Sequence, residues 1–425
     1  MARRLSEDSA AEEPDEQWPT ARGLESAAPW RSRHEVDQMR QVADRLSARA
    51  ESDGFGSALG IVLAGSYYWG EGKFERFLRG PLLRVAQRPI IRYPLHWLQA
   101  SGICQVAICT NNDTEAIRRY LGDGARLGMT LHYVEDPLPR GAAGCVRDAA
   151  LRLAADTVVV AEGALIPSLD LDALLTAHRD SGAVATAVVE VDRRRSATGG
   201  ERSRLPGGIY VFERRVLERV PATGYYDIKQ GLLERLYDEG ERVLMHEVQG
   251  LSPRIMDYAS YTAASAWLIA SAHTRPGFYS GYVKAGDGMR HPSARIHPSA
   301  RLIGPVLVGP GARIDAGAVV VGPTAIGAGS VVESEAVVVR SVLWERCVVG
   351  RGASLDGSLL SDDAVAEAGA VLLGEVHTNG AEPLSSEPAD PVIFRVPAPL
   401  PERPHFEPRL SDPRYSSSRG PVARP

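Results

Sequence analysis

The chain has 425 residues, 44% of them hydrophobic, with 48 basic and 53 acidic side chains and a formal net charge of -5. That length and apolar content suit two or three packed domains, and the lack of an overall basic field argues against a polyanion such as nucleic acid as a partner. Four cysteines (Cys104, Cys109, Cys145, Cys347) stand in apolar segments without a C-x-x-C pair, a pattern that speaks against disulfides and zinc and for reduced thiols in a cytoplasm.

Residues 1–32 are polar, acidic and poor in aliphatics. They offer too little apolar surface to offset the entropy of ordering and are expected to be disordered. No stretch of signal-peptide length and no run of 18 apolar residues occurs, so a cytoplasmic location without membrane contact is expected. Over residues 33–56, Val36, Met39, Ala43 and Leu46 recur at helical spacing among charges. One amphipathic helix with a linker follows, its stripe packing on the next domain or on a partner.

Residues 57–272 alternate short apolar runs such as ALGIVL, QVAICT and TVVVAE with amphipathic helical segments. Successive beta-alpha units imply an α/β fold, a Rossmann-like and mostly parallel sheet with helices on both faces. Ligands then sit beyond the carboxyl ends of strands, where Leu63, Ala64 and Gly65 and the turn Ala161-Glu162-Gly163 are expected.

After a linker, residues 273–290, the pattern changes. Every sixth residue from Ile296 is aliphatic: Ile296, Leu302, Val308, Ile314, Val320, Ile326, Val332 and Val338. Period six belongs to neither a helix nor an alternating strand, and it predicts a left-handed parallel β-helix over residues 291–376. The frame slips by one residue after Val338, resumes at Leu343, Val349 and Leu355, and is expected to pass through Val365 and Val371. Eleven of the 29 prolines follow Gly380, so residues 377–425 read as a proline-rich tail, extended or disordered, whose last dozen residues look free.

Several stretches carry a resemblance. Leu63-Ala64-Gly65 and Pro81-Leu82-Leu83-Arg84-Val85 stand at the separation of L-A-G-G-x-G-T-R-L and P-K-P-L-L-P-V in the sugar-phosphate nucleotidyltransferases, the family of mannose-1-phosphate guanylyltransferases and glucose-1-phosphate nucleotidyltransferases. Arg88-Pro89-Ile90-Ile91, Trp97 to Ile103, Tyr120-Leu121-Gly122-Asp123-Gly124 and Gly208-Ile209-Tyr210-Val211-Phe212 resemble later motifs in order. Glu135-Asp136-Pro137 with Gly141-Ala142-Ala143-Gly144 resembles the nucleobase loop E-x-P...G-T-A-G. The resemblance spans about residues 57–374, and it implies attack by a sugar 1-phosphate on a nucleoside triphosphate at Mg²⁺ held by two Asp carboxylates.

The charged positions depart from that pattern. The second and third loop glycines are Ser66 and Tyr68, the loop Arg is Gly70 and the Lys of P-K-P is Gly80. The metal-binding N-G-D is Glu162-Gly163-Ala164, and the segment between Val191 and Gly207 is too short for the F-V-E-K-P strand that grips the sugar phosphate. Of the charged set, Asp257 in Arg254-Ile255-Met256-Asp257-Tyr258 matches W-x-D-I-G-T, either as a remnant metal ligand or as the cap of a turn. Substitutes are conceivable in Lys73, Arg76, Arg79 and Arg84, and in Glu162 as a displaced metal ligand. Losing one preorganised contact costs on the order of 10²-fold to 10³-fold in rate, and several together leave little.

The expectation is therefore a catalytically inactive homologue with no catalytic residue and no metal. Leu63, Ala64, Gly65, Gly141, Ala143 and Gly144 would be vestigial nucleotide contacts, Mg²⁺ being relevant only if binding or activity persists. It would act as a regulatory or scaffolding subunit, in a homo-oligomer or beside an active nucleotidyltransferase, with an active enzyme and a sugar-nucleotide sensor as the alternatives. Tyr67, Tyr68 and Trp69 would stack on a ligand ring or plug a vacated pocket. The basic loop Arg193, Arg194, Arg195, Arg202 and Arg204 would meet a phosphate or stay solvated. His291 and His297, in two H-P-S-A-R repeats, are capping residues or, in a trimeric acyltransferase, a general base.

Overall fold

The computed structural model describes residues 58–65, 74, 80–110, 114–136, 140–191, 204–249, 252–274, 279, 281–379 and 415–419. The expected N-terminal segment and helix, the loop residues Ser66 to Lys73, Arg76 and Arg79, the basic loop Arg193 to Arg202 with the Arg204 side chain, and residues 380–414 of the tail lie outside the described residues.

The apolar runs become strands because they are short, β-branched and bounded by turn residues. In chain order they are β1 (Leu59–Leu63), the hairpin pair β2 (Arg84–Val85) and β3 (Arg88–Pro89), β4 (Gln105–Thr110), β5 (Thr130–Glu135), β6 (Thr157–Glu162), β7 (Ala185–Val191), β8 (Arg204–Glu213) and β9 (Val243–Gln249). All but the hairpin join one eight-stranded sheet, completed by Tyr415–Arg419 at the edge beside β9 and running on through β7, β8, β6, β1, β4 and β5. Only β8 is antiparallel to its neighbours. Those five tail residues were read as free; they instead pair in parallel with β9 over Val243 to Glu247.

Both faces of the sheet are buried, as a mostly parallel sheet requires. Ile61, Val158, Val160, Tyr210 and Phe212 pack with the Gly141–Arg152 helix, while Val62, Val106, Val159, Ala161 and Ile209 pack with the Arg92–Ala100 and Leu171–Ser181 helices. Register aligns Leu63 with Cys109 and with Glu162, and Ala161 with Ile209. The carboxyl ends of β1, β4 and β6 and the beginning of β8 therefore meet at one edge.

The C-terminal repeats form three stacked parallel sheets, one strand of each per coil, which is a parallel β-helix. Early coils hold 18 residues, Leu302 pairing with Val320, and later coils hold 17, Val338 pairing with Leu355. The shortened corner is held by side-chain hydroxyls. Backbone N–H groups of Ser341, Ser358 and Glu375 donate to Thr324 Oγ1 (3.3 Å), Ser341 Oγ (3.1 Å) and Ser358 Oγ (3.2 Å). Because that corner shortens again after Leu355, the frame slips twice. The inward residues are then Leu360, Ala366 and Leu372, which pair with Leu343, Val349 and Leu355. Val365 and Val371, expected inside, face outward and are 40% and 63% exposed.

One helix, Tyr258–Ala270, joins the two bodies. Tyr261, Ala264 and Leu268 share a single apolar cluster with Leu307, Ala325 and Val342 of the β-helix. Trp344 Nε1 donates to Tyr261 Oη (3.0 Å) and Tyr258 Oη to the Gly357 carbonyl (2.7 Å). From the sheet side, the tight β2–β3 turn places Ala86 and Gln87 at positive φ, and Gln87 Nε2 donates to the Leu307 carbonyl (3.2 Å) and to that of Ile326. Arg84 pairs with Glu345 and Asp362.

The second slip can be checked by stability. Leu360→Ala should cost about 2–5 kcal/mol, as for a buried leucine, whereas Val365→Ala should stay within about 0.5 kcal/mol, as for an exposed position. Paired thermal-unfolding midpoints decide it, and equal losses would restore the unslipped frame.

Candidate functional site

The site edge is built by backbone before side chains. Ala64 N–H donates to the Cys109 carbonyl (2.7 Å) and Gly163 N–H to the Leu63 carbonyl (2.9 Å), which ties the ends of β1, β4 and β6 together. A Cβ at Gly163 would lie 2.7 Å from the Leu63 oxygen, so only glycine allows this approach. Gly65 ends the described part of the loop.

Glu162, last residue of β6, points to two cations. Arg254 Nη2 stands 2.9 Å from Glu162 Oε2 and Lys229 Nζ 3.9 Å from Oε1. Arg254 is held in place by the bridge between Leu165 and Arg254 and by the Ile255 N–H bond to the Ala164 carbonyl (3.1 Å). Lys229 lies in a helical turn whose N-cap, Asp227, accepts from the backbone N–H groups of Lys229 (2.7 Å) and Gln230 (3.1 Å). Gly208, at φ +69°, leaves the space the guanidinium fills, since a Cβ there would come within 2.2 Å of Arg254 Nη2.

Two buried partners complete the cluster. Glu190 accepts from the Ser252 N–H (2.8 Å); burial pushes its carboxyl above the usual range, and the Ser252 bond and the Arg254 charge pull it back. Tyr210 is 2% exposed, and burial with the nearby Glu162 charge holds its phenol well above the ordinary value. Tyr210 Oη has no hydrogen-bond partner, and Arg254 Nη2, despite its ion pair, has none of hydrogen-bonding geometry.

The expected nucleobase turn is present but filled from behind. Gly141 has φ +81°, and a Cβ there would lie 2.5 Å from the Tyr226 carbonyl oxygen. Tyr226 N–H donates to the Arg140 carbonyl (2.7 Å), and Ala143 N–H to the Tyr226 carbonyl (3.2 Å). A Cβ at Gly144 would meet Arg140 Cβ at 2.9 Å. Arg140 is itself tied to Asp136 (3.2 Å) and to Asp148. Leu63, Ala142 and Tyr226 pack on one apolar cluster, so the two glycine turns flank the same strand ends.

Of the two roles expected for Asp257, the structure shows the cap. Asp257 is the N-cap of the Tyr258–Ala270 helix, accepting from the Ser260 N–H (2.7 Å) in a capping box, and its carboxyl is held below the usual range by the Ser260 backbone and hydroxyl. If Asp257 takes the place of the Thr of W-x-D-I-G-T, the Asp of that motif falls three residues earlier, on Arg254. Glu162, considered as a displaced ligand, is engaged by the two cations, and Arg84, considered as a substitute cation, is spent on the β-helix. Nδ1 of each of His291 and His297 accepts from the N–H of the serine two residues on (3.2 Å in both), within turns that stitch coil to coil. Lys229, Arg254 and Tyr210 escaped the sequence reading; the D-x-x-S cap at Asp257 was the signal that would have found Arg254.

These residues do not fit Mg²⁺. One carboxylate faces two fixed cations, the second carboxylate position is Ala164, and among the described residues no group of three or more His, Cys, Asp or Glu could hold a metal ion. No helix among the described residues is long and apolar enough to cross a membrane.

The family model described as nucleotidyl transferase matches residues 76–199. Mannose-1-phosphate guanylyltransferase of Mycobacterium tuberculosis is 28% identical over 249 residues, covering 54% of this chain and 68% of that protein. UTP–glucose-1-phosphate uridylyltransferase of Synechocystis is 26% identical over 286 residues, covering 54% and 72%. Glucose-1-phosphate thymidylyltransferase of Mycolicibacterium smegmatis is 29% identical over 196 residues, covering 40% and 68%. The three relatives differ in the nucleobase they are named for.

Two outcomes check the role of Asp257. Asp257→Ala should cost about 1 kcal/mol of stability, as loss of an N-cap does, and Asp257→Asn less. Its depressed carboxyl means that the cap contributes fully above the ordinary Asp value of 3.8 and weakens as pH falls below it. Chemical denaturation at neutral and acid pH reads both, and an unchanged midpoint for Asp257→Ala would remove the capping role.

Proposed function

Since this chain carries a nucleotidyltransferase domain of the sugar-phosphate class, we propose that it is a catalytically inactive member that serves as a regulatory or scaffolding subunit in the supply of sugar nucleotides for polysaccharide synthesis. The observation that carries this reading is the Glu162–Arg254–Lys229 cluster, in which two cations engage the carboxylate at the end of β6 beside Ala164. Transfer of a nucleotidyl group asks the protein mainly for charge neutralisation and positioning. With Ala164 and Arg254 at the ligand positions and Gly80 at the lysine position, the means of both are reduced together. The β-helix, docked by its own helix and ion pairs, supports assembly with a second copy or with an active nucleotidyltransferase.

A sugar-nucleotide sensor is the second reading, favoured by Tyr210 Oη, a buried donor without a hydrogen-bond partner near the Arg254 guanidinium. Binding without turnover serves regulation as well as sensing.

Pyrophosphate release from GTP, UTP, ATP and dTTP with mannose 1-phosphate or glucose 1-phosphate, in Mg²⁺, should not exceed the protein-free background. Sustained release by the unaltered chain would end the inactive reading. Co-purification of the tagged chain with an active nucleotidyltransferase, and a changed rate for that enzyme in its presence, is the expected positive result.

A further inference from the structure

The replacements at the metal position compensate one another in charge. In the resembled motifs, two aspartates face a dication and the residue opening N-G-D is a neutral Asn, so the loaded site is neutral. Here the N-G-D positions carry Glu162 and Ala164, and the group facing Glu162 is the Arg254 guanidinium. One guanidinium against one carboxylate, 2.9 Å apart, again gives neutrality, and it does so with no ion. Lys229 adds a positive charge on the solvent side, its side chain 42% exposed. Glu190 lies behind, its carboxylate already engaged by the Ser252 N–H.

The geometry is that of a built position. Gly208 must lack a side chain for the guanidinium to lie there. The bridge from Leu165 to Arg254 and the Asp257 cap fix the backbone on both sides of it. Tyr210 Oη is a buried polar atom with no hydrogen-bond partner, and Arg254 Nη2, 2.9 Å from Glu162 Oε2, makes no well-aligned hydrogen bond; a buried donor left without a partner costs free energy until an acceptor arrives. A phosphate oxygen is such an acceptor, and an arginine fork with a nearby ammonium suits it.

We propose that the Arg254 guanidinium is a built-in replacement for the divalent cation, so that the cleft takes up a phosphate-bearing ligand, a nucleotide sugar or a sugar 1-phosphate, without metal. The proposal rests on the reading of these strand ends as the chain's ligand site. Arg254 neutralises Glu162 and offers its remaining N–H groups to the phosphate, and Lys229 meets the ligand from solvent. No bond to phosphorus forms or breaks.

Isothermal titration of the full chain with UDP-glucose, GDP-mannose, dTDP-glucose and glucose 1-phosphate, each in MgCl₂ and in EDTA, tests it. At least one probe should bind with Kd equal within about twofold in the two media, a difference of about 0.4 kcal/mol. Arg254→Met should weaken that probe by about tenfold or more, and Arg254→Lys by less. If Arg254→Met fails to fold, Lys229→Gln, at a more exposed position, should weaken binding several-fold. The double variant Ala164→Asp with Arg254→Asp should acquire bound Mn²⁺ by electron paramagnetic resonance, and the unaltered chain should show none.

Binding that tightens tenfold in MgCl₂, Mn²⁺ bound by the unaltered chain, or no binding of any probe in either medium would each overturn the proposal, the last leaving Arg254 a structural tie. Turnover in EDTA would end the inactive reading and spare this one, whereas a requirement for Mg²⁺ would end this one whatever the turnover.

Discussion

The Tyr258–Ala270 helix is the constraint on which the rest of the molecule depends. Its apolar face is shared between the sheet domain and the β-helix, through Tyr261, Ala264 and Leu268 on one side and Leu307, Ala325 and Val342 on the other. A helix committed to two bodies cannot slide along its axis without breaking interdigitated packing on both. Its N-terminus is fixed by the Asp257 capping box, and Arg254 lies three residues upstream. The position of the guanidinium beside Glu162 is thus set by an interface elsewhere in the molecule.

Local chemistry explains why the cluster keeps its form. Glu162 pairs with the Arg254 guanidinium and Glu190 feels its charge, while burial alone would favour the neutral form of Glu190. Truncating Arg254 would leave the half-buried Glu162 without its nearest cation, and breaking such a pair is costlier than never forming it. The sheet domain has absorbed the cation into its structure, which is why simple removal is a poor probe and charge-conserving exchange a better one.

How much of this was legible in the sequence follows from which interactions are periodic. The β-helix announced itself because period six is unlike any other element, and even its first slip after Val338 could be read. The second slip could not, since Val365 and Val371 are as aliphatic as the true inward residues Ala366 and Leu372, and only strand register separates them. The sheet was legible from its apolar runs. The pairing of Tyr415–Arg419 was not, because a segment reading YSSSR carries no apolar alternation. At the site, motif order located Leu63 to Gly65, Gly141 to Gly144 and Glu162, whereas Lys229 and Arg254 converge from segments distant in sequence. Asp257, matched by residue type to a motif aspartate, is the cap of the Tyr258–Ala270 helix, a role its D-x-x-S spacing carries.

The glycines sharpen the same distinction. Gly141, Gly163 and Gly208 stand where a Cβ would strike backbone or a charged side chain at 2.5, 2.7 and 2.2 Å, so packing alone retains them. At Gly80, where the resembled family carries lysine, the nearest atom to an added Cβ is Leu82 N at 3.7 Å, an ordinary contact. A Cβ is therefore tolerated at Gly80, unlike at the three glycines that packing retains. At Ala164 and Arg254 the backbone course is held by the Leu165–Arg254 bridge and the Ile255–Ala164 hydrogen bond, while neither side chain is a carboxylate. What the chain preserves is the geometry of strand ends meeting at a cleft, and what it has exchanged is the charge placed there.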